Sequence, residues 1–325
     1  DWDVTEAGNF EGKNVLHDLA GAPRDASAAD REALREARAK RVPPDTDRKR
    51  VASWNALTIS GLAYAGSVLP DASLHADAVA AGEFLLERMV DAEGRLHRVY
   101  AEGDVRVPAF LDDVAAALGA CLDLHRAGAG DRWLAGAMRF ADEILARFFD
   151  PEEDDLFLTP SDGEPLVHRP RSDHDGATPG STGLALLGLV RAASLSGRQD
   201  LRRTAERVLR THAYVAEQVP HAQPTLLRAA TWLEAGPSVA VVVGDPQDPA
   251  TGALAQAARR LLAPDEAVVV ATPGAAPPEG LDPAWLEGRR DAARPTAWVC
   301  RGTACSLPAH EPRALAPLPA GDAPA

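Results

Sequence analysis

The chain is 325 residues long, enough for one large domain or two of ordinary size, and its 46% apolar content can fill a sizeable core. A formal net charge of −14 weighs against nucleic acid or an anionic membrane surface as a partner. Three cysteines make no disulfide framework, so a reducing cytoplasm is the expected location, and apolar runs such as SVAVVVG are too short to span a bilayer.

The opening DWDVTEAGNFEGKNVLH lacks the pattern of a secretory leader and reads as a segment from inside a longer protein. Its EGKN places Glu11 and Lys13 on a loop, with His17 close behind. SWNALTISGLAYAG follows as a helix that is apolar or small nearly all round, and such a helix expects neighbours on every side. An amphipathic helix, DASLHADAVAAGEFLLERMV, and a β-hairpin, GRLHRVYAEGDVRV, come next. The order then repeats. FLDDVAAALGACLDLHRAG is the second apolar helix, and DRWLAGAMRFADEILARFF carries Trp133, Ala137, Phe140, Ile144 and Phe148 on one stripe. DDLFLTPSDGEPLVHR is expected to be the second β-hairpin. In HRPRSDHDGATPGST, His168, Arg169, Arg171, His174 and Asp175 crowd the approach to the third apolar helix, with Thr178 as its N-cap and Pro179 as its first residue. That helix is STGLALLGLVRAASLSG, its amphipathic partner is RQDLRRTAERVLRTHAYV, and HAQPTLLRAATWLEA adds a lone helix.

Aligning Gly61, Gly119 and Gly188 sets Asn55, Asp113 and Thr182 in equivalent places, with Trp54, Asp112 and Ser181 one residue earlier. Inner helix, outer helix and connecting hairpin, three times over, is the pattern of a mainly α protein built as an α/α toroid. Its inner-helix N-termini gather at one mouth, a natural pocket. Inner helices that are apolar all round would expose large apolar surfaces without further neighbours. From about Ser238, strand SVAVVVGDP, helix ATGALAQAARRLLA and strand EAVVVAT predict a small α/β unit over 237–308 with a parallel strand pair. Residues 309–325 read as a disordered tail.

Five stretches, GNFEGKNVLH, SWNALTISGLAYAG, FLDDVAAALGACLDLH, DHDGATPGSTGLALL and AWVCRGTACSLP, resemble in order the landmarks of the spermatogenesis-associated protein 20 family. Bacterial members of that family are called YyaL-type thioredoxin-domain proteins. The resemblance runs nearly the whole length of the chain. It implies a toroid of the six-hairpin glycosidase type, of which residues 1–236, with three hairpins, are expected to be the C-terminal half and an N-terminal region outside this sequence the rest. It also implies a thioredoxin-like domain, absent from this chain, as a partner. The chain departs from the family pattern at Trp54-Asn55-Ala56, where Trp-Asn-Gly is usual. It departs again at Pro179-Gly180-Ser181-Thr182-Gly183, where Pro-Ser-Gly-Asn-Ser is usual, so the third repeat lacks an asparagine.

Asp112 and Asp113 are either caps for their helix or chemistry at the mouth, and Asp113 is preferred for the pocket. Asp113 with Glu11 or Asp175 would supply the two carboxylates of a glycosidase. His174 with His17 would supply the two bases of a 2-epimerase-like isomerase. Asp175-Gly176 reads equally as a tight turn. Trp54 beside Asn55 suits a sugar platform or core packing, and Lys13, His17 and Ser181 complete the expected set for a sugar-like ligand. The alternative is a non-catalytic module that binds a ligand or partner and serves the thioredoxin-like domain. The His/Asp spacing is no metal signature, so neither metal nor cofactor is expected. Cys300 and Cys305 are expected as paired structural thiols, with a disulfide across the RGTA turn as the alternative under oxidant.

Overall fold

The computed structural model describes residues 4–17 and 28–318, which fall into two units, one ending at residue 48 and the other beginning at 49. In the first, Asn14 bonds back to both backbone groups of Thr5, and Asn9 does the same for Val15. The turn between bears Glu11 at φ 48° and Gly12 at φ 72°. Helix α1 (Ala28–Ala39) follows in this unit.

The second unit opens with β1 (Arg50–Val51), α2 (Ala52–Val68) and α3 (Ala72–Arg88), then the hairpin β2 (His97–Ala101) and β3 (Asp104–Pro108). Next come α4 (Leu111–Ala127), α5 (Arg132–Arg147), the short pair β4 (Phe149–Asp150) and β5 (Asp155–Leu156), α6 (Ser181–Ser196), α7 (Gln199–Gln218) and α8 (Pro224–Ala235). The inner helices α2, α4, α6 and α8 pack side by side in that order, and α3, α5 and α7 each pack on the inner helix before them. This is a partial α/α toroid, mainly helical, as the repeat predicts. The amphipathic stripe of α5 faces inward, with Trp133, Ala137, Phe140 and Ile144 buried. Helix α4, with neighbours on both flanks, is buried nearly all round.

The repeat glycines do unequal work. A Cβ on Gly61 or Gly119 would meet nothing, whereas one on Gly188 would lie 2.6 Å from Leu118 Cδ2. Gly183, at the start of α6, is tight against backbone: its Cβ would stand 2.9 Å from Leu226 N, where α6 meets α8. Backbone cannot yield as a side chain does, so Gly183→Ala is expected to lower stability by about 1–3 kcal/mol. A lower denaturant midpoint at unchanged slope would show it, with Gly119→Ala as a control that holds or gains stability.

Two expectations need correction. Only Asp155–Leu156 of DDLFLTPSDGEPLVHR is strand, and it pairs back with Phe149–Asp150. Pro160 and Pro165 remove the N–H groups a longer hairpin would need. Helix α6 begins at Ser181 with Gly180 as its N-cap, two residues later than the Thr178 cap implied.

The C-terminal part is the α/β unit foreseen: β6 (Val239–Val243), α9 (Pro249–Leu261), β7 (Ala267–Ala271), β8 (Thr296–Arg301) and β9 (Ala304–Cys305), in sheet order β7-β6-β8-β9. β6 and β7 are parallel, Val239 beside Ala267. Alternation divides β6 between two faces: Val239, Val241 and Val243 join the core of the helical hairpins, while Ala240 and Val242 face clusters that include residues of α9. The sheet is thereby fastened to the C-terminal end of the inner helices. There Arg126 of α4, buried, donates to the carbonyls of Arg259, Leu262 and Glu266. Part of the expected tail is ordered, since Ala309 pairs with Ala297 and Leu315 packs on the sheet's core; residues 319–325 lie outside the described residues. Cys300 and Cys305 stand directly opposite on β8 and β9 and are joined in a disulfide, in place of the expected free thiols. Among the described residues, no helix is long and apolar enough to cross a membrane.

Candidate functional site

Asp112 and Asp113 lie about 100° apart around α4 and meet different surroundings. Asp113 is fully buried between the first turns of α2 and α4. Its Oδ1 accepts the Ser53 N–H at 3.0 Å, and its Oδ2 accepts the Phe110 N–H at 3.0 Å and Arg98 Nη1 at 2.7 Å. Val51, the N-cap residue of α2, offers no side-chain acceptor, so the following hairpin supplies one. Burial, with the charge of Asp112 behind it, lifts the Asp113 carboxyl above the usual range, against Arg98 and the two N–H groups. Both oxygens are committed to structure. Asp113, the acid preferred for the pocket from sequence, is placed here as a tie between the starts of α2 and α4.

Asp175 repeats the arrangement one pair along. Its Oδ1 accepts the Gly180 N–H at 2.8 Å, at the start of α6, and its Oδ2 accepts the N–H and Oγ1–H of Thr225, at the start of α8, at 2.9 and 2.6 Å. This clamp also sets the start of α6. The general acid or base expected at Asp175 is a tie between two helices.

Asp112 sits one turn before Ala115 and Ala116, and Trp54 one turn before Leu57. All three of those later residues line a groove of about 320 Å³ along the inner helices. Gly119 and Gly188 keep its walls low, and ion pairs Asp123–Arg191 and Arg228–Asp265 stand at its far end. Asp112 pairs with Arg98 Nη1 at 2.8 Å and is a quarter exposed. Trp54 is 60% exposed, so it is not core. The amide of Asn55 is turned back, donating to Val51 O at 2.8 Å, and Ser181 is buried, donating to Ser172 O. Neither presents its polar group to a ligand.

The remaining expected residues divide between the units. Glu11, Lys13 and His17 belong to the first, where Lys13 pairs through its backbone with Phe10 and His17 Nδ1 lies 3.0 Å from Val15 O. His174, in the second, is 57% exposed, with Nδ1 2.7 Å from Asp173 Oδ1. Behind it runs a network the residue pattern does not announce. His212 of α7, buried, sets Nδ1 3.3 Å from Asp173 Oδ2 and Nε2 2.8 Å from Asp155 Oδ1. Arg171 pairs with the other oxygen of Asp155, and Gln223 donates to Asp173. Burial disfavours a charged His212, but the two carboxylates outweigh it and hold the imidazole above its ordinary range. One signal was available: His212 continues the buried stripe Leu201, Ala205, Val208 at helical spacing. Among the described residues, no group of three or more His, Cys, Asp or Glu is placed to hold a metal ion.

No family model matches the chain. In sequence it is 30% identical over 298 residues to spermatogenesis-associated protein 20 of Mus musculus, covering 88% of this chain and 38% of that protein. The Homo sapiens protein of the same name is 30% identical over 305 residues, with the same shares. Among solved structures, cellobiose 2-epimerase from Bacillus thermoamylovorans B4167 superposes with a TM-score of 0.42 and 14% identity, over 50% of this chain and 44% of that one. The chain spans about 38% of the length of the curated relatives it matches. Over the stretch it shares with them, this chain is similar to the spermatogenesis-associated protein 20 proteins, the family its sequence landmarks resemble.

Proposed function

We propose that the groove along the inner helices binds a small polyhydroxylated, sugar-like molecule, and that this portion of the protein binds it rather than hydrolysing it. The carrying observation is the N-terminal end of α2 and α4, where the exposed indole of Trp54 and the Asp112–Arg98 pair stand one helical turn before Leu57, Ala115 and Ala116 in the lining of a groove of about 320 Å³. An indole face accepts the C–H face of a sugar ring, while a carboxylate accepts from hydroxyls and a guanidinium donates to them. Hydrolysis needs two carboxylates free to flank a bond, and Asp113 and Asp175 both have their oxygens on helix N–H groups. We propose further that the open side of the half ring is covered by a second set of helical hairpins, from chain beyond these residues or from another polypeptide. A second reading, an isomerase exchanging a proton at His174, rests on that residue's exposure and its bond to Asp173.

Titrating D-glucose, D-mannose and cellobiose while following tryptophan fluorescence tests the site. Binding of at least one is expected, weakened about tenfold or more in Trp54→Ala and in Asp112→Asn, a loss of roughly 1.4 kcal/mol each. No nitrophenol should be released from aryl glycosides. Binding untouched by both substitutions, or no binding at all, overturns the site. Nitrophenol release abolished by Asp113→Asn overturns the non-hydrolytic part.

A further inference from the structure

The disulfide lies outside the groove and has an unusual neighbour. Cys300, on β8, is fully buried and backed by Val239 of β6, whereas Cys305, on the two-residue edge strand β9, is exposed. Arg289 Nη2 lies 2.9 Å from Cys305 Sγ and 3.6 Å from Cys300 Sγ. The guanidinium is held there from behind: Nη1 donates to Trp285 O at 3.1 Å and Glu287 O at 3.4 Å, and the group lies 5.8 Å from the Trp298 ring centre. Among the described residues, no carboxylate forms an ion pair with it. A neutral disulfide gives such a cation nothing to pair with, but a thiolate does. Cross-linking also does little here as a staple. The two cysteines are five residues apart across a hairpin that β6 already supports, and short loops are where a bond constrains the unfolded chain least.

We propose that Cys300 and Cys305 form a thiol–disulfide exchange site for a dithiol reductant, with Arg289 as the group that receives the thiolate. A thiolate of the reductant attacks the exposed Cys305 Sγ. The S–S bond breaks, and its electron pair passes to Cys300 Sγ, beside Arg289 Nη2. The second thiol of the reductant, deprotonated, then attacks the reductant's own sulfur in the mixed disulfide and expels Cys305 as a thiolate at the same guanidinium. Two electrons have moved, the reductant leaves as a disulfide, and its two protons are shared between solvent and the new thiols. Arg289 is a positioning residue for this chemistry and forms no covalent bond.

The test treats the native protein with excess dithiothreitol, alkylates with iodoacetamide across a pH series, and locates the label by peptide mass spectrometry while circular dichroism follows the helices. Cys121, fully buried with its thiol pushed up to about 12, serves as the internal marker of unfolding. Labelling at Cys305 is expected with helices intact and Cys121 unlabelled, with a pH midpoint below the ordinary thiol value of about 8.5. In Arg289→Gln the midpoint should rise by about one unit, roughly tenfold slower labelling near neutrality, and Arg289→Lys should restore much of it. A bond reduced only when Cys121 also labels is a structural staple, and the proposal fails. It fails too if the native midpoint is that of an ordinary thiol, a criterion that stands even where Arg289→Gln does not fold.

Discussion

Asp113→Ala is expected to lower the unfolding free energy by about 3 kcal/mol, the larger part from two lost helix caps at roughly 1 kcal/mol each and the rest from a half-buried Arg98 deprived of one partner. The carboxylate serves Ser53 of α2 and Phe110 of α4 with different oxygens, so no single donor can be spared. For that reason Asp113→Asn does not preserve the site. Its amide NH2 must face either the Ser53 N–H or the Phe110 N–H together with Arg98, and a loss of about 2 kcal/mol follows. Asp112→Asn, which weakens only a partly exposed pair, should cost less than about 1 kcal/mol. Urea unfolding of the three variants checks the order. A neutral Asp113→Asn beside a costly Asp112→Asn would reverse the roles assigned to the two aspartates.

His212→Gln is expected to change the pH dependence of stability on the alkaline side. The folded value of His212 is raised, so its contribution is complete below the unfolded histidine value of about 6.5 and is lost as pH climbs through the higher folded value. Asp155 and Asp173 run the other way. Burial would raise them, but His212 draws Asp155 below the carboxylate range, and His174, with His212 behind it, does the same for Asp173; their contribution, present above about 3.9, is lost as pH falls through the folded values. Wild-type stability should therefore be greatest between about pH 4 and 6.5 and decline on both sides. In His212→Gln the alkaline decline should disappear and the maximum should fall by about 2 kcal/mol, because two carboxylates lose a shared cation. Melting temperature across that range decides the matter, and parallel curves for the two proteins would refute it.

The helices and their roles were legible because burial writes itself into period. The stripe of α5 and the all-round apolarity of α4 each predict a position in the array, and the structure puts them there. The β-run of Val239–Val243 was equally plain. The acids were harder. Neighbours on a helix diverge, and which of Asp112 and Asp113 turns to the groove depends on where α2 lies, which no local pattern states. Asp113 meets a donor 60 residues away, and Asp175 meets one 50 away. Partners at that distance become visible only once the helices have been packed. The Asp155–His212–Asp173 network is drawn from three separate segments, and only the histidine on an apolar stripe hinted at it.

Asp113 and Asp175 have a consequence for how the array is completed. In each of these pairs one inner helix leaves an opening N–H group for an aspartate that another segment provides: α2 for Asp113 of α4, and α8 for Asp175 ahead of α6. The first turn of α2 stays frayed until residue 113 has been synthesised and has docked, and that of α8 depends on a residue ahead of α6. Adjacent repeats thus share their terminal hydrogen bonds, which raises the penalty for folding one without the next. An array that could have unravelled from its ends, one hairpin at a time, is coupled into fewer and larger cooperative steps.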